Sequence, residues 1–377
     1  MSTLFSELEL GSLTLANRVV VPPMCQYRAV DGLPTPWHEM HYGSMGISGA
    51  ALVIMEGTGV EDIGRISPSD LGLWNDVQEA ALKSLLDRVR TYSSAKWGIQ
   101  LAHAGRKASN EPFDARNPVS PASGGWLPIG PSPIVHNDRW PTPIEMSQAD
   151  IARVVGSFAA AARRSARAGF DMVEVHAAHG YLISSFLSPL ANQRTDSYGG
   201  SLQNRMRLAT DVASVIRDAL PSGMAMGFRV NGTDWADGGI TVEETVELAK
   251  ALREAGTDYV TVSSGGNART QMLPPMEPGF QVALAETVKA ESGMRTMAVG
   301  MILTAAQAEE IVTSGRADLI AVARGTIDDP RWALHAAQAL GEEIEYPKSF
   351  WRVSAKYWPG YKFVHPMPKP VEELDWR

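Results

Sequence analysis

The sequence contains only one cysteine, Cys25, among 377 residues. A single thiol excludes a disulfide within the chain, and it excludes any zinc or iron–sulfur site that needs four cysteines. Basic residues are also in deficit, because 34 lysines and arginines stand against 42 aspartates and glutamates, for a net charge of −8. Without a basic excess, we expect no nucleic-acid partner and no binding to anionic membranes.

Long apolar runs are missing as well. The longest, such as Ala50–Met55, stop far short of the roughly 18 residues that a membrane-spanning helix needs. The segment Met1–Leu15 carries Glu7 and Glu9, and it lacks the basic, apolar and small-residue parts of an export signal. We therefore expect a soluble, cytoplasmic protein. Its 44% apolar and 20% charged residues are typical of a globular chain.

The sequence does contain an alternation of short β-branched runs and helical patterns, which is typical of a parallel sheet covered by helices. Several helix starts are marked by Ser147, Thr241 and Thr304, each followed three positions later by an acidic or amide residue. The β-branched runs number eight, which predicts a single (β/α)8, or TIM, barrel. They are Arg18–Val21, Ala51–Met55, Trp97–Leu101, Met172–Val175, Ala225–Val230, Tyr259–Val262, Thr296–Val299 and Leu319–Val322.

We predict that residues 1–345 form the barrel and that residues 346–377 form a separate tail. Residues 104–146, after the third run, are rich in Pro, Gly, Ser and Asn and show little regular period. A loop of that length in a compact domain is usually functional, so we interpret it as a lid. The tail holds several aromatic residues that need burial against some surface: Trp351, Tyr357, Trp358, Tyr361 and Phe363.

Polar residues follow nearly every run, at the strand ends where the catalytic groups of such barrels stand. The loops after the seventh and eighth runs often bind phosphate, and they contain Gly300 and Arg324 here, although these glycines are also compatible with simple tight turns. The other candidates, in chain order, are Cys25, Gln26, Tyr27, Gln100, His103, His176, His179, Tyr181, Arg229 and Gly265.

The pair His176 and His179 is the sharpest of these candidates, and its spacing leaves three interpretations open. The two histidines are satisfied core residues, or they bind zinc together with His103 or Asp171. Alternatively, their N–H groups point at one substrate oxygen and stabilise negative charge there.

Four motifs resemble the Old Yellow Enzyme family, and they occur in order at matching strand ends. The resemblance extends from about Leu4 to Trp332. The cysteine after Pro22-Pro23-Met24, with a tyrosine two residues later, is similar to the bacterial branch of thermophilic-like ene-reductases and xenobiotic reductases. The motifs are Pro22–Tyr27, His103–Lys107, His176–Leu182 and Arg194–Arg205.

This resemblance implies noncovalent FMN over the barrel mouth and NADPH or NADH as hydride donor. It implies reduction of an α,β-unsaturated carbonyl compound, in which His176 and His179 bind the oxygen and Tyr181 is the proton donor. Cys25 would modulate the flavin, while Tyr27 and Trp358 would contact substrate, Trp358 in its own or a partner subunit. The implied FMN contacts are Pro23, Met24, Cys25, Gly57, Gln100, Arg229, Gly265, Gly300, Arg324 and Gly325.

Other roles and functions remain open on the residues alone. Arg106 and Lys107 are either solvated charges or contacts to nicotinamide or substrate, and we interpret Arg194–Arg205 as a structural brace. Nitro compounds and nitrate esters could also accept hydride. The alternative functions are a metal-dependent barrel hydrolase using His176 and His179, and a flavin-binding sensor without turnover. We also expect a homo-oligomer.

Overall fold

The computed structural model describes residues 2–268, 272, 274 and 277–364. Its strands are β1 Leu8–Leu10, β2 Leu13–Leu15, β3 Val19–Val21, β4 Leu52–Gly59, β5 Lys96–Ala102, β6 Asn110–Glu111, β7 Asp114–Pro118, β8 Ile129–Gly130, β9 Ile144–Glu145, β10 Met172–Ala177, β11 Ala225–Asn231, β12 Tyr259–Ser263, β13 Arg295–Val299 and β14 Leu319–Ala321. Its α-helices are α1 Pro36–Gly46, α2 Asp76–Arg90, α3 Gln148–Ala168, α4 Leu182–Leu187, α5 Leu202–Ala219, α6 Val242–Glu254, α7 Val282–Ser292, α8 Ala305–Thr313, α9 Arg324–Asp328, α10 Trp332–Ala339 and α11 Tyr361–Val364.

Eight strands close into a barrel, in the order β10-β11-β12-β13-β14-β3-β4-β5. Every pairing around the ring is parallel, from β10 with β11 through to β5 with β10. Each predicted run overlaps one barrel strand, so the predicted (β/α)8 fold is confirmed. Because all eight strands are parallel, their carboxyl ends share one mouth.

The helix starts that the sequence predicted are confirmed by their caps. Ser147 accepts a hydrogen bond from the backbone N–H of Asp150, and Thr241 and Thr304 cap α6 and α8 in the same way. Helix α3 ends at Gly169, whose φ of +97° lies in the left-handed region that only glycine adopts cheaply. These local signals fix where each helix starts, and the apolar stripe of each then packs on the sheet.

The two ends of the barrel differ. The hairpin of β1 and β2 packs its leucines against inward-facing residues such as Val20, Leu52 and Met172, which closes the amino-terminal end with an apolar plug. At the other end, residues 104–146 form two small two-stranded sheets, β6 with β7 and β8 with β9. The predicted excursion is therefore partly structured.

The excursion is held down by the predicted brace. Arg194 forms an ion pair with Asp196 at 2.6 Å. The same guanidinium donates to the carbonyl oxygens of Pro131 at 3.0 Å and Met146 at 2.6 Å. The structural interpretation of this segment is confirmed, because Arg194 is buried and its donors are spent on the backbone of the excursion.

No helix in the described ranges is long and apolar enough to cross a membrane. Residues 365–377 of the predicted tail lie outside the described residues.

Candidate active site

The barrel brings the predicted residues to one mouth. Gly57 and Gln100 lie in β4 and β5, and His176 and Arg229 lie in β10 and β11, near their carboxyl ends. Most of the remaining predicted residues stand in the loops that follow their strands, and Arg324 and Gly325 begin helix α9. The loop residues are Pro23, Met24, Cys25, Tyr27, His179, Tyr181, Gly265 and Gly300. Trp358 belongs instead to the tail.

His176 and His179 lie with two ring nitrogens facing each other. Nε2 of His176 and Nδ1 of His179 are 3.4 Å apart. Burial and the positive charge of Arg229 hold the pKa of both imidazoles well below the usual range, so both rings are neutral at pH 7. The backbone N–H of Ala178 donates to Nδ1 of His176 at 3.2 Å, which places the proton of His176 on Nε2.

The tautomer of His179 depends on its other side. Its Nε2 lies 2.7 Å from the hydroxyl oxygen of Ser263. With the His179 proton on Nε2, that nitrogen donates to Ser263 and Nδ1 accepts from His176 Nε2–H. With a donating Ser263 hydroxyl, the proton sits on Nδ1, and both histidines offer an N–H to an oxygen bound between them. The backbone around His179 is unusual, with a φ of +60°, and it is fixed by a hydrogen bond from its N–H to Asn231 Oδ1 at 3.0 Å.

Tyr181 lies beside this pair. Its ring is 4.7 Å from that of His176 in an edge-on arrangement. Burial raises the pKa of its hydroxyl well above the ordinary value, so Tyr181 keeps its proton at neutral pH. It belongs to a small cluster around Ile66 that also includes Cys25 and Tyr27.

Cys25 is a half-buried free thiol on the loop after β3. Burial and the carboxyl groups of Asp70 and Glu56 raise its pKa well above the ordinary value, so the group is a thiol and not a thiolate at pH 7. The next residue, Gln26, anchors the loop because its backbone N–H donates to Glu56 at 2.8 Å.

Arg106 and Lys107 are not solvated charges. Arg106 is buried and donates to the carbonyl oxygen of Asn267, and burial lowers its pKa to about 10. Lys107 is half-buried, and its Nζ donates to the carbonyl oxygen of His179 at 2.7 Å. Of the two alternatives left open by the sequence, the solvated pair is therefore excluded, because the mouth of the barrel needs internal donors for its loop carbonyls.

The additional zinc ligands considered from the sequence lie elsewhere. Asp171 is at the opposite end of β10, where its carboxylate accepts from Arg90 and from the backbone N–H of Trp97. His103 instead faces Glu61, with 3.6 Å between Nε2 and Oε2. In the part of the chain that the structure describes, no group of three His, Cys, Asp or Glu residues is arranged to hold a metal ion.

The mouth fits FMN on several observations. Arg229 is a partly buried guanidinium whose Nε–H has no hydrogen-bond partner among the described residues, and its Nη2 makes only a 3.4 Å contact with Ser263. The Cβ atom of a side chain at Gly57 would lie 3.4 Å from Gln100 Oε1 and 3.6 Å from Cys25 Sγ. Glycine therefore leaves space in the mouth beside these two groups. The Arg229 donor, the Gln100 oxygen and the space beside Gly57 suit a flat ring with polar atoms along its edge.

The phosphate side of the site is equally open. Gly300 has a φ of +111°, where a side chain would be strained and would clash with Gln281. Arg324 is exposed, and its guanidinium has no hydrogen-bond or ion-pair partner among residues with described positions. Arg324 can therefore bind a phosphate group by a charge-assisted hydrogen bond.

The ring of Trp358 packs near an aromatic residue of the same tail. Its ring lies 6.2 Å from that of Tyr361, which in turn lies 6.2 Å from the ring of His335 on α10. The side chain is 38% exposed. Its predicted contact with substrate stays a prediction.

Three buried acidic residues surround the site, and none of them belongs to the motifs that the sequence singled out. Glu56, Asp70 and Glu174 have at most 1% of their surface exposed. The available signal was a charge inside a β-branched run, as in Met172-Val-Glu174-Val. Charged residues are almost never fully buried unless they are paired, so such a residue indicates a network inside the barrel.

The fold and the site define a barrel oxidoreductase that binds a flavin at the carboxyl ends of its strands. Residues 3–343 match the model of the NADH:flavin oxidoreductase / NADH oxidase family. The chain belongs to this family, the Old Yellow Enzyme family, and it is an FMN-dependent oxidoreductase that takes hydride from a nicotinamide cofactor.

Similar proteins agree with this assignment. An NADPH dehydrogenase of Listeria innocua serovar 6a is 43% identical over 93% of this chain and 99% of its own. Among solved structures, morphinone reductase is 26% identical, covers 92% of both chains and has a TM-score of 0.75. A structure of morphinone reductase in complex with tetrahydroNAD is 27% identical, covers 92% of both chains and has a TM-score of 0.74.

Proposed function

We propose that this enzyme is an ene-reductase, which reduces the activated C=C bond of an α,β-unsaturated carbonyl compound. The observation that carries the proposal is the 3.4 Å separation of His176 Nε2 and His179 Nδ1 between two neutral rings. In the tautomer in which both of these nitrogens carry a proton, the two N–H groups can donate to one oxygen. A carbonyl oxygen that gains negative charge during the reaction is the acceptor that such a pair stabilises best.

When FMN is bound, it supplies the hydride chemistry of both half-reactions. His176 and His179 hold the substrate by its oxygen, and their donation becomes stronger as negative charge develops there. Each donor of this kind is typically worth about 3–4 kcal/mol in the transition state. Neither ring carries a positive charge before the reaction, so the pair does not favour a substrate that is already an anion. Its donors therefore act mainly on the negative charge that develops in the transition state.

Tyr181 donates a proton to the α-carbon of the substrate. Its hydroxyl retains the proton because burial raises its pKa, and its ring lies next to His176. A carbon that already carries enolate charge needs only a positioned donor. Tyr27, in the same cluster, contacts the substrate at the rim, and Trp358 completes the pocket from its own or a partner subunit.

A nitro group presents oxygens that gain charge in the same way. The neutral histidine pair would bind a nitro oxygen as it binds a carbonyl oxygen, so nitroalkenes are a second substrate class of this site. Nitrate esters present comparable oxygens.

The test is a phenol titration of the oxidised holoenzyme, because phenol places one oxygen where the substrate oxygen would bind. We expect His176→Ala and His179→Ala each to weaken phenol binding and its charge-transfer absorption. The control is His41→Ala, which deletes an imidazole from α1, where His41 lies against Tyr42. Unchanged phenol affinity in both mouth variants would overturn the assignment of the pair.

The family assignment overturns the two alternative functions, a metal-dependent hydrolase and a flavin-binding sensor without turnover. Turnover separates an ene-reductase from a flavin oxidoreductase that uses another acceptor. Anaerobic mixing with NADPH and then with 2-cyclohexenone should reoxidise the flavin rapidly in an ene-reductase. A slow reoxidation by both the enone and a nitroalkene would refute the proposed substrate class.

A further inference from the structure

A fully buried carboxylate lies inside the barrel just below the mouth. Glu174 points inward from β10 and has no exposed surface. It accepts three hydrogen bonds, from Gln100 Nε2 at 2.8 Å, from the Tyr259 hydroxyl at 2.9 Å and from the Thr261 hydroxyl at 2.7 Å. An ionised carboxylate can only accept hydrogen bonds, so its ionised form requires all three neighbours to be donors.

The barrel makes room for this network at Gly227. In the sheet register, Gly227 of β11 lies between Glu174 of β10 and Tyr259 of β12. A side chain at Gly227 would begin 2.1 Å from the ring of Tyr259. Because residue 227 is a glycine, the Tyr259 side chain can extend from β12 past β11 and donate to Glu174 on β10.

Glu174 fixes the orientation of the Gln100 side-chain amide, because it binds the amide nitrogen and leaves the oxygen available. Because Nε2 of Gln100 is used by the carboxylate, its Oε1 turns toward β4. That oxygen lies 3.4 Å from the position that a Cβ atom at Gly57 would occupy. Cys25 Sγ lies 3.6 Å from the same position. Gln100 thus presents an acceptor, and not a donor, on the side of the mouth that faces Gly57.

Glu174 also acts on Arg229 through charge. Burial lowers the pKa of the Arg229 guanidinium, and the negative charge of Glu174 is the largest influence in the opposite direction. Among the described residues, Arg229 Nε–H has no hydrogen-bond partner, and Nη2 donates to the Ser263 hydroxyl at 3.4 Å. The carboxylate therefore offsets the buried positive charge from a distance.

We propose that Glu174 is a positioning residue for FMN: it fixes Gln100 as a hydrogen-bond acceptor and offsets the charge of Arg229, and so sets the reduction potential of the bound flavin. The inference rests on FMN lying against Gln100 and Arg229 at this mouth. It does not depend on which substrate is reduced.

The direction of the effect follows from charge. Reduction adds negative charge to a flavin, and a buried carboxylate nearby opposes that addition more strongly than it would in water. Glu174→Gln removes the negative charge while nearly keeping the shape of the side chain. The amide introduced by this substitution can keep its oxygen toward Nε2 of Gln100 and turn its nitrogen toward the Tyr259 and Thr261 hydroxyls, which can accept, so the variant removes the charge and leaves the Gln100 amide in place.

The experiment is the two-electron reduction potential of the FMN-bound Glu174→Gln variant, measured by equilibrium titration against a reference dye. We expect the reduction equilibrium to shift about tenfold toward reduced flavin, which is roughly 30 mV for a two-electron couple. Nitrogen NMR of bound 15N-labelled FMN should keep the imide signal of the wild type, which separates the effect of the charge from a change in the Gln100 hydrogen bond. An unchanged potential in the FMN-bound variant would overturn the proposal.

The matched control is Tyr259→Phe, which removes one of the three hydrogen bonds and keeps the carboxylate. We expect its potential to stay close to that of the wild type. An equal shift in both variants would mean that any disturbance of the barrel interior moves the potential, and the role of the charge would be refuted.

A measurement on the wild type covers the case in which Glu174→Gln does not fold. Infrared difference spectra of enzyme labelled with 13C-glutamate report whether Glu174 is ionised, and unlabelled enzyme is the reference. The band of Glu174 is assigned with Tyr259→Phe, because the lost hydrogen bond shifts that band. A protonated Glu174 at pH 7 would overturn the proposal. A shift in potential without any enone reduction would instead support this inference and refute the proposed function.

Discussion

The ammonium group of Lys107 donates to the carbonyl oxygen of His179 at 2.7 Å, and it lies 5.0 Å from the centre of the Tyr181 ring. One lysine therefore touches two of the three residues proposed to act on substrate. His179 needs such support, because its φ of +60° is an uncommon conformation for a residue other than glycine.

Replacing Lys107 by methionine should loosen His179 and weaken phenol binding. The loss is expected to be about tenfold, since a hydrogen bond from a charged group contributes about 1.5–3 kcal/mol and only part of it is felt at the phenol. The positive charge of Lys107 also lowers the pKa of both histidines, so those pKa values should rise in the variant. Phenol titration and histidine NMR measure the two effects.

The pH dependence provides a check on the same residue. Burial and the charge of Arg106 lower the pKa of Lys107 to about 8. The wild-type histidine signals should therefore show a step near pH 8 that is missing in Lys107→Met and in Lys107→Arg, because arginine stays charged at that pH. A step that persists in both variants would come from another group.

Tyr181→Phe should separate the two half-reactions. Flavin reduction by NADPH needs no proton from Tyr181 and should keep its rate. The enone half-reaction should slow by about 10²–10⁴, the usual range for a lost general acid. Rapid mixing with 2-cyclohexenone and with a nitroalkene measures both. If the enone half-reaction keeps its wild-type rate, another acid or solvent delivers the proton.

Cys25→Ala should retain FMN but change its reduction potential and the balance of the two half-reactions. A thiol that keeps its proton can donate a weak hydrogen bond, and alanine cannot. Cys25→Ser, which restores a donor of similar size, should lie between the two. Potentiometric titration of the three proteins decides, and identical potentials would remove Cys25 from the control of the flavin.

Asp70 should make stability depend on pH. Its carboxyl accepts from the backbone N–H groups of Ile66 and Ser67, yet burial raises its pKa from 3.8 to about 7. The folded protein thus holds this proton more tightly than the unfolded chain does. The contribution to stability is complete below about pH 4 and is lost as the pH rises through about 7.

The matched variant is Asp70→Asn, which cannot titrate. Between pH 5 and pH 8, the wild type should lose roughly 3 kcal/mol of unfolding free energy relative to the variant. Urea denaturation of both proteins at the two pH values, with FMN at the same excess, measures the difference. Parallel behaviour of the two proteins would show that Asp70 is ionised in the folded state.

The sequence by itself determined the barrel and many of its strand and helix boundaries. The run Trp97–Leu101 predicted the strand found as Lys96–Ala102, and Ser147 marked the start of α3. Apolar runs and capping residues work because they act over a few neighbouring positions. The sequence also placed His176 and His179 at a strand end, but it left their chemistry open, because the spacing alone is compatible with core residues, a metal site and an oxyanion site.

The tertiary structure supplied the evidence against the metal site. It placed Asp171 at the far end of the barrel and turned Lys107 inward onto His179. It also brought Glu174 to Gln100, 74 residues away in the chain. Burial and hydrogen-bond partners of this kind depend on which strands close the barrel beside each other, and no local pattern records that. The charges and protonation states at the mouth follow from this closure, and with them the chemistry that the site can perform.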